Sequence, residues 1–242
     1  MRYTHSLHTV HHRRHRLKIS AILSIILTIM IVGMGYSTLD AHAFVTGFLI
    51  SLFRITASYF ISLIIAVIIT LWVTSNKRVE DAMVPILDVL QSFPSFALFP
   101  ILTQVFGRSE VVTIMILVVT MVWPLIFTIL TSQKQINHEI FEAAEVFGAR
   151  GWRRIWYVLL PLLTPSIVTG SIIAWGEAWE AVVAVEIIVG GMGLGTYLNA
   201  AGEAHQTRIV LVGVLLLLML LFLINKYVWL NLLSASVKST EE

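Results

Sequence analysis

The chain has 242 residues, 57% of them hydrophobic and 12% charged, with a formal net charge of +2, and its mean hydropathy is +0.88. A soluble domain carries about 45–50% apolar and about 25% charged residues, so this composition excludes a soluble enzyme and a disordered chain, and the near-neutral balance excludes a basic nucleic-acid-binding module. With no cysteine, a disulfide framework, a zinc knuckle and a thiol nucleophile are excluded as well.

The first eighteen residues are polar and basic. They lack the short apolar stretch and small-residue exit of a cleaved signal peptide, and 1–18 reads as a cytoplasmic tail. His5, His8, His11, His12 and His15 are interleaved with arginines. That pattern fits a segment lying on anionic lipid, at ~1 kcal/mol per basic residue near the surface, better than a metal-binding tract. Six runs of low polarity follow, at 19–36, 47–73, 83–106, 111–131, 165–189 and 208–230. Such lengths suit helices crossing a hydrocarbon core of ~30 Å, which takes ~20 residues. None of the runs alternates as barrel strands do. The expected fold is an all-α polytopic membrane protein of about six transmembrane helices, with a transmembrane body at 19–230 and a second cytoplasmic tail at 231–242.

Thirteen of the sixteen Lys and Arg residues fall on one side of this bundle. They lie in the N-terminal tail, at Lys77 and Arg78, at Lys134, Arg150, Arg153 and Arg154, and at Lys226 and Lys238. Arg54, Arg108 and Arg208 fall on the other side. The positive-inside bias therefore places both termini and the long loop between the fourth and fifth spans in the cytoplasm. Arg54, early in the second span, is expected to snorkel to the outer interface.

The third run contains Pro85, Pro94 and Pro100. Each proline removes a backbone donor and crowds the carbonyl four residues back. Irregular backbone is tolerated at membrane depth where it packs in protein or lines a water-filled cavity, which makes Pro94 a candidate for a translocation path. After the fifth run, Gly190, Gly191, Gly193 and Gly195 are too glycine-rich for helix and read as an outward-facing re-entrant turn or loop.

The loop at 132–161 is the longest connection and has helical pattern. Ile136, Ile140, Ala144 and Phe147 form one stripe of an amphipathic helix. Asn137 can cap its start, Glu139 suits the positive end of its dipole, and Gly148 suits the left-handed stop position. A second short helix, with Trp152, Ile155, Trp156 and Leu159 at helical spacing, is expected to end before Pro161. Two short helices with an apolar side need a surface to lie on, either lipid headgroups or a protein partner.

Glu142-Ala143-Ala144, three residues, Gly148, nine residues and Val158-Leu159-Leu160-Pro161 resemble the EAA loop of binding-protein-dependent ABC importer permeases, whose pattern is EAA-x3-G-x9-I-x-L-P. The one departure, Val158 for isoleucine, keeps shape and polarity. Ser92-Phe93-Pro94, Pro100 and Phe106-Gly107 look like the proline-rich third span of the nitrate/sulfonate/taurine branch. Trp179, Glu186 and Gly193-Leu194-Gly195 look like its fifth span and outer loop. The resemblance implies that Glu142, Ala143, Ala144, Gly148, Leu160 and Pro161 couple the chain to cytoplasmic ABC ATPase subunits. It also implies an extracytoplasmic solute-binding protein and a second permease copy or homologous permease as partners, besides membrane lipid, in a bacterial-type inner membrane.

ATP and Mg are then expected on the partner ATPase, with no cofactor and no catalysis in this chain. The residues agree: a P-loop needs G-x-x-x-x-G-K-[ST], and none of the five lysines follows a glycine.

The fifth run carries Glu177, Glu180 and Glu186, with Trp175 and Trp179 beside them. A charge at a membrane helix centre costs ~2.5–3.5 kcal/mol on insertion scales, so these acids are expected to face protein, water or one another. Glu177 and Glu180 share a helix face and Glu186 lies roughly opposite Glu177. One reading puts these acids and tryptophans along the translocation path; the other makes the acids a packing cluster. Glu177 and Glu180 are not part of the family pattern, and two ionised carboxylates would repel a sulfonate or nitrate. A proton-coupled secondary carrier using Glu177 or Glu186 would explain the acids but not the EAA loop.

Overall fold

The computed structural model describes residues 39–92 and 94–241, and all regular structure among them is helical. The predicted tail at 1–18 and the first predicted span at 19–36 lie outside the described residues. Helix α1, Ala41–Val73, begins at Asp40, whose Oδ1 accepts from the Ala43 amide at 3.1 Å. It presents Gly47, Ser51, Ser58, Ser62, Ala66 and Thr70 to the interior, while Phe53, Phe60, Ile64 and Ile68 point outward. Small residues inside and large apolar ones outside is the arrangement that lets membrane helices approach closely where lipid tails are as apolar as leucine.

Helix α2, Lys77–Gln91, is capped by Asn76, which accepts from the Arg78 amide at 3.0 Å. A 3-10 turn, Ser95–Leu98, starts after Pro94 and leads into α3, Phe99–Phe106. The two arms, Lys77–Gln91 and Ser95–Phe106, meet at 81°. The run at 83–106 is therefore not one straight span. Pro94 cannot donate and holds φ at −68° with ψ at 115°, which turns the chain out of the helix.

Helix α4, Glu110–Gln135, is the central strut. Its Leu117, Met121, Leu125, Ile126 and Ile129 are buried between α1 and α6, Trp152–Val189. The α6 helix runs unbroken from Trp152 to Val189 and meets α4 closely at Gly170, where an added Cβ would lie 3.0 Å from Thr128 Oγ1. The second short helix of the 132–161 loop does not stop before Pro161. A π-helical turn at Ile155–Leu159 carries it into Leu160–Val189. The wider turn receives the proline ring, and Pro161 sits in the first turn of the following α segment, where a missing donor matters least.

Helix α5 is His138–Val146 and α7 is Leu194–Glu203. Helix α8, Thr207–Ile224, continues through a π turn at Asn225–Trp229 into Leu230–Glu241, so the predicted tail from 231 prolongs the last helix. Four described helices are long and apolar enough to cross a membrane, Ala41–Val73, Glu110–Gln135, Trp152–Val189 and Thr207–Lys238, or five if the bent pair counts as one span. The expected six are not reached among the described residues.

Candidate functional site

The structure separates the predicted site residues into three places. At one end of the bundle, Asn137 caps α5 by accepting from the Glu139 amide at 3.2 Å. The helix stops at Gly148, whose φ is +80°. The Gly148 amide donates to the Glu145 carbonyl at 3.0 Å and the Ala149 amide to the Ala144 carbonyl at 2.9 Å. These two bonds are the Schellman ending of a helix, which requires a left-handed residue where the glycine sits. Gly151, at φ +54°, is a second left-handed turn that the sequence pattern had not marked.

Ala144 is 9% exposed and faces inward, whereas Glu142, Ala143 and Pro161 are exposed and Leu160 is half-buried. Phe147 is 89% exposed, and Val146, Trp152, Trp156 and Tyr157 are also solvent-facing. The predicted apolar stripe thus divides. Ile136 packs on the core, but Phe147 joins the bare aromatic surface at the loop tip. Behind the loop is a cavity of about 510 Å³, lined by Glu142, Glu145, Arg154 and the Lys134–Glu80 ion pair at 3.2 Å.

A second cavity, of about 490 Å³, lies where the bend after α2 meets α4 and α6. Pro94 and Glu177, both predicted for a path, line it together with Ser92, Ser95, Thr120 and Trp123. It opens outward, since Ser92, Pro94 and Glu177 are exposed. Glu180 is exposed on the same face of α6 as Glu177. The other predicted path residues stand apart. Trp175 is half-buried, edge-on to Tyr59 and Trp229. Trp179 is 3% exposed and stacked on Phe48 at 5.2 Å.

Glu186 belongs to a buried ion cluster at the opposite end from the loop. It is 1% exposed, and Arg54, which was expected to snorkel outward, is 5% exposed. Arg54 Nη1 donates to Glu186 Oε1 at 2.6 Å and to the Met192 carbonyl at 2.7 Å, and Nε donates to Glu110 Oε2 at 2.7 Å. A further bond joins Arg54 Nη2 to Glu110. Ser51 Oγ donates to Glu186 at 2.7 Å, and the Gly195 amide donates to Glu186 Oε2 at 2.8 Å. Arg54 stays inside because two carboxylates and a carbonyl meet its fork, which a partnerless arginine in lipid would lack. Glycine is required around the cluster. A Cβ on Gly193 would lie 2.3 Å from the Glu186 carboxyl carbon, and one on Gly195 would lie 2.4 Å from the Val183 carbonyl oxygen. The four-glycine stretch is accordingly a tight turn, with Gly190 and Gly191 at φ +81° and +92°, that delivers α7 onto α1 and α6.

Sequence reasoning missed Arg54, Glu110 and Ser51. One signal was there: the orientation placed Arg54 and Glu186 at the same outer level of two spans, with opposite charges.

A Schellman-ended loop helix, a polar cavity beside a proline break and an ion cluster centred on buried Arg54 and Glu186 are thus set in a polytopic membrane bundle. The model of the family described as binding-protein-dependent transport system inner membrane component matches residues 58–234, well over half of the chain. The chain belongs to that family. It is 28% identical to the taurine transport system permease protein TauC of Escherichia coli strain K12, over 72% of this chain and 64% of the relative. It is 23% identical to the nitrate import permease protein NrtB of Synechocystis sp., over 74% and 65%. With the bicarbonate transport system permease protein CmpB of Synechococcus elongatus it shares 26% identity over 75% and 66%. The chain thus spans just under two thirds of each relative's length. These likenesses place it with the nitrate/sulfonate/taurine branch of ABC importer permeases.

Proposed function

We propose that the chain is the transmembrane permease subunit of an ABC importer, moving a small solute delivered by an extracytoplasmic binding protein. The observation that carries this reading is the loop tip. A Schellman-ended α5 and the start of α6 hold Val146, Phe147, Trp152, Trp156 and Tyr157 out of the bundle. Exposed aromatic and apolar side chains rimmed by the charges of Glu142, Glu145, Arg150 and Arg153 are the composition of an interface core with a polar rim, and a cytoplasmic ATPase subunit is the partner that the family membership brings. ATP and Mg belong on that subunit. Both termini lie in the cytoplasm, as the basic asymmetry requires.

The solute path runs along the face of α6 that carries Glu177 and Glu180. Two exposed carboxylates on a membrane helix would cost ~2.5–3.5 kcal/mol each against lipid, so this face meets water or a second permease copy. The cleft beside Pro94 is one half of the path, completed by that second copy or a homologue.

The test is purification of the tagged chain from its native membranes, with a co-purifying ABC ATPase subunit as the readout. Phe147→Asp removes no packing within the chain, because the ring is almost wholly exposed. The variant should insert in the membrane normally and lose the ATPase on purification. Undiminished co-purification would sink the assignment of this surface.

A further inference from the structure

Among the described residues, Glu177 is the one charged side chain lining the 490 Å³ cavity. No lysine, arginine or histidine among the described residues lines the cavity, so nothing in that lining neutralises the carboxylate. The hydroxyls around it are turned the same way electrically. Thr120 Oγ1 donates to the Ile116 carbonyl at 2.9 Å, and Thr128 Oγ1 donates to the Pro124 carbonyl. Their protons are spent on the helix backbone, which leaves lone pairs for the cavity. Thr120 Oγ1 also lies 2.9 Å from Ser95 Oγ, so its one proton is shared between that oxygen and the Ile116 carbonyl. A nitrate or sulfonate entering here could accept from the Gln91 amide, but it would meet the repelling Glu177 carboxylate in the same lining. Trp123 and Phe127 add ring faces to the same lining, and aromatic faces attract cations.

We infer that the cavity selects a solute bearing a cationic nitrogen, with Glu177 as its counter-charge and Trp123 and Phe127 as its aromatic walls. This rests on the permease reading above, and it adds the substrate class. An ammonium or amidinium group would donate to Glu177 and to the Thr120 and Thr128 oxygens. A quaternary ammonium would instead lie against the rings. Glu180, on the same face of α6 one turn further on, extends the acidic lining beyond the cavity and would favour the same charge on the way through.

The absence of cysteine gives a probe that does not require knowing the solute. Ser92 lines the cavity and is exposed, so Ser92→Cys in the full-length chain, in membrane vesicles with its co-expressed ATPase, offers one thiol. Its labelling rates with a trimethylammonium-ethyl and a sulfonatoethyl methanethiosulfonate are compared, each corrected for its reactivity toward a small free thiol. The cationic reagent should lead by roughly tenfold, the scale expected between reagents of opposite charge about 6 Å from a carboxylate in a water-like dielectric. Adding Glu177→Gln should bring the ratio close to one without changing the amount of protein inserted. Equal rates that ignore Glu177→Gln would overturn the inference and leave the path reading intact. A thiol that neither reagent reaches would instead remove the water-accessible path and the inference with it. A second arm identifies the solute retained by the binding protein that supports transport through the chain. A solute with a cationic nitrogen supports the inference, and an anion without one overturns it.

Discussion

Replacing Gly148 isolates backbone conformation from packing in the coupling loop. The residue sits at φ +80°, yet an added Cβ would meet nothing within 4 Å. Any defect must therefore come from the left-handed backbone and not from a clash. An L-residue there is disfavoured by about 1–2 kcal/mol, more for a β-branched one, while asparagine tolerates the region. At 1.4 kcal/mol per tenfold, Gly148→Ala should lower the population of the turned loop by about 5–30-fold relative to competing conformations. Losing the turn also frees the two bonds to the Ala144 and Glu145 carbonyls, so the last turn of α5 frays with it. Transport is measured in proteoliposomes containing the permease, its ATPase and its binding protein, alongside ATPase co-purification. The expected order is Gly above Asn above Ala above Val, with membrane insertion equal throughout. If Val matches the parent, or Asn falls with Val, the φ argument is wrong.

Glu186→Gln should destabilise the detergent-solubilised chain by about 3–5 kcal/mol, because it leaves Arg54 buried against a half-dissolved network; thermal unfolding monitored by tryptophan fluorescence would show it, and an unchanged midpoint would refute it. Arg54→Met combined with Glu186→Met should be less damaging than either single change, since no buried charge is then stranded and Glu110, which loses its partner, is exposed. Gly195→Ala, whose Cβ would lie 2.4 Å from the Val183 carbonyl oxygen, should fold poorly, while Gly202→Ala, with nothing within 4 Å, should be neutral or gain about 0.5–1 kcal/mol; expression and melting of the two side by side decide it. A single cysteine at position 152 should react with an impermeant reagent only in inside-out vesicles, and one at position 191 only in intact cells. Labelling of position 152 from outside would reverse the topology.

What could be read from the chain beforehand was local. Asn137 and Gly148 announce the ends of α5 because a cap and a left-handed stop are decided within five residues. Pro94 announced a break, and it sits in the same cavity as Glu177, which its residue type had already marked out. Angles and pairings were not local. The 81° bend between Lys77–Gln91 and Ser95–Phe106 depends on what each arm packs against. Arg54 was read as a snorkelling side chain because its partners Glu110 and Glu186 lie 56 and 132 residues away. Pro161 was read as a stop, since proline alone predicts one. The π turn before it, which admits the ring, has no short sequence signature. Trp175 and Trp179 were read with the acids by adjacency, yet one helix turns them onto Tyr59 and Phe48 and leaves Glu177 on the other side.

The unbroken α6 helix makes the coupling end and the ion cluster two ends of one rod. Its 38 residues, at about 1.5 Å each, give roughly 57 Å, longer than the ~40–45 Å of a whole bilayer with headgroups. For a rod of that length, each degree of tilt about one end sweeps the other through about 1 Å. A small rotation imposed at Trp152 would therefore arrive at Glu186 and the glycine turn as a displacement of several ångströms, with no relay of contacts in between. The π turn and Pro161 lie a few residues from Trp152, so under the proposed permease function any flexing there would set the gearing between a partner ATPase's motion and the far end of the rod.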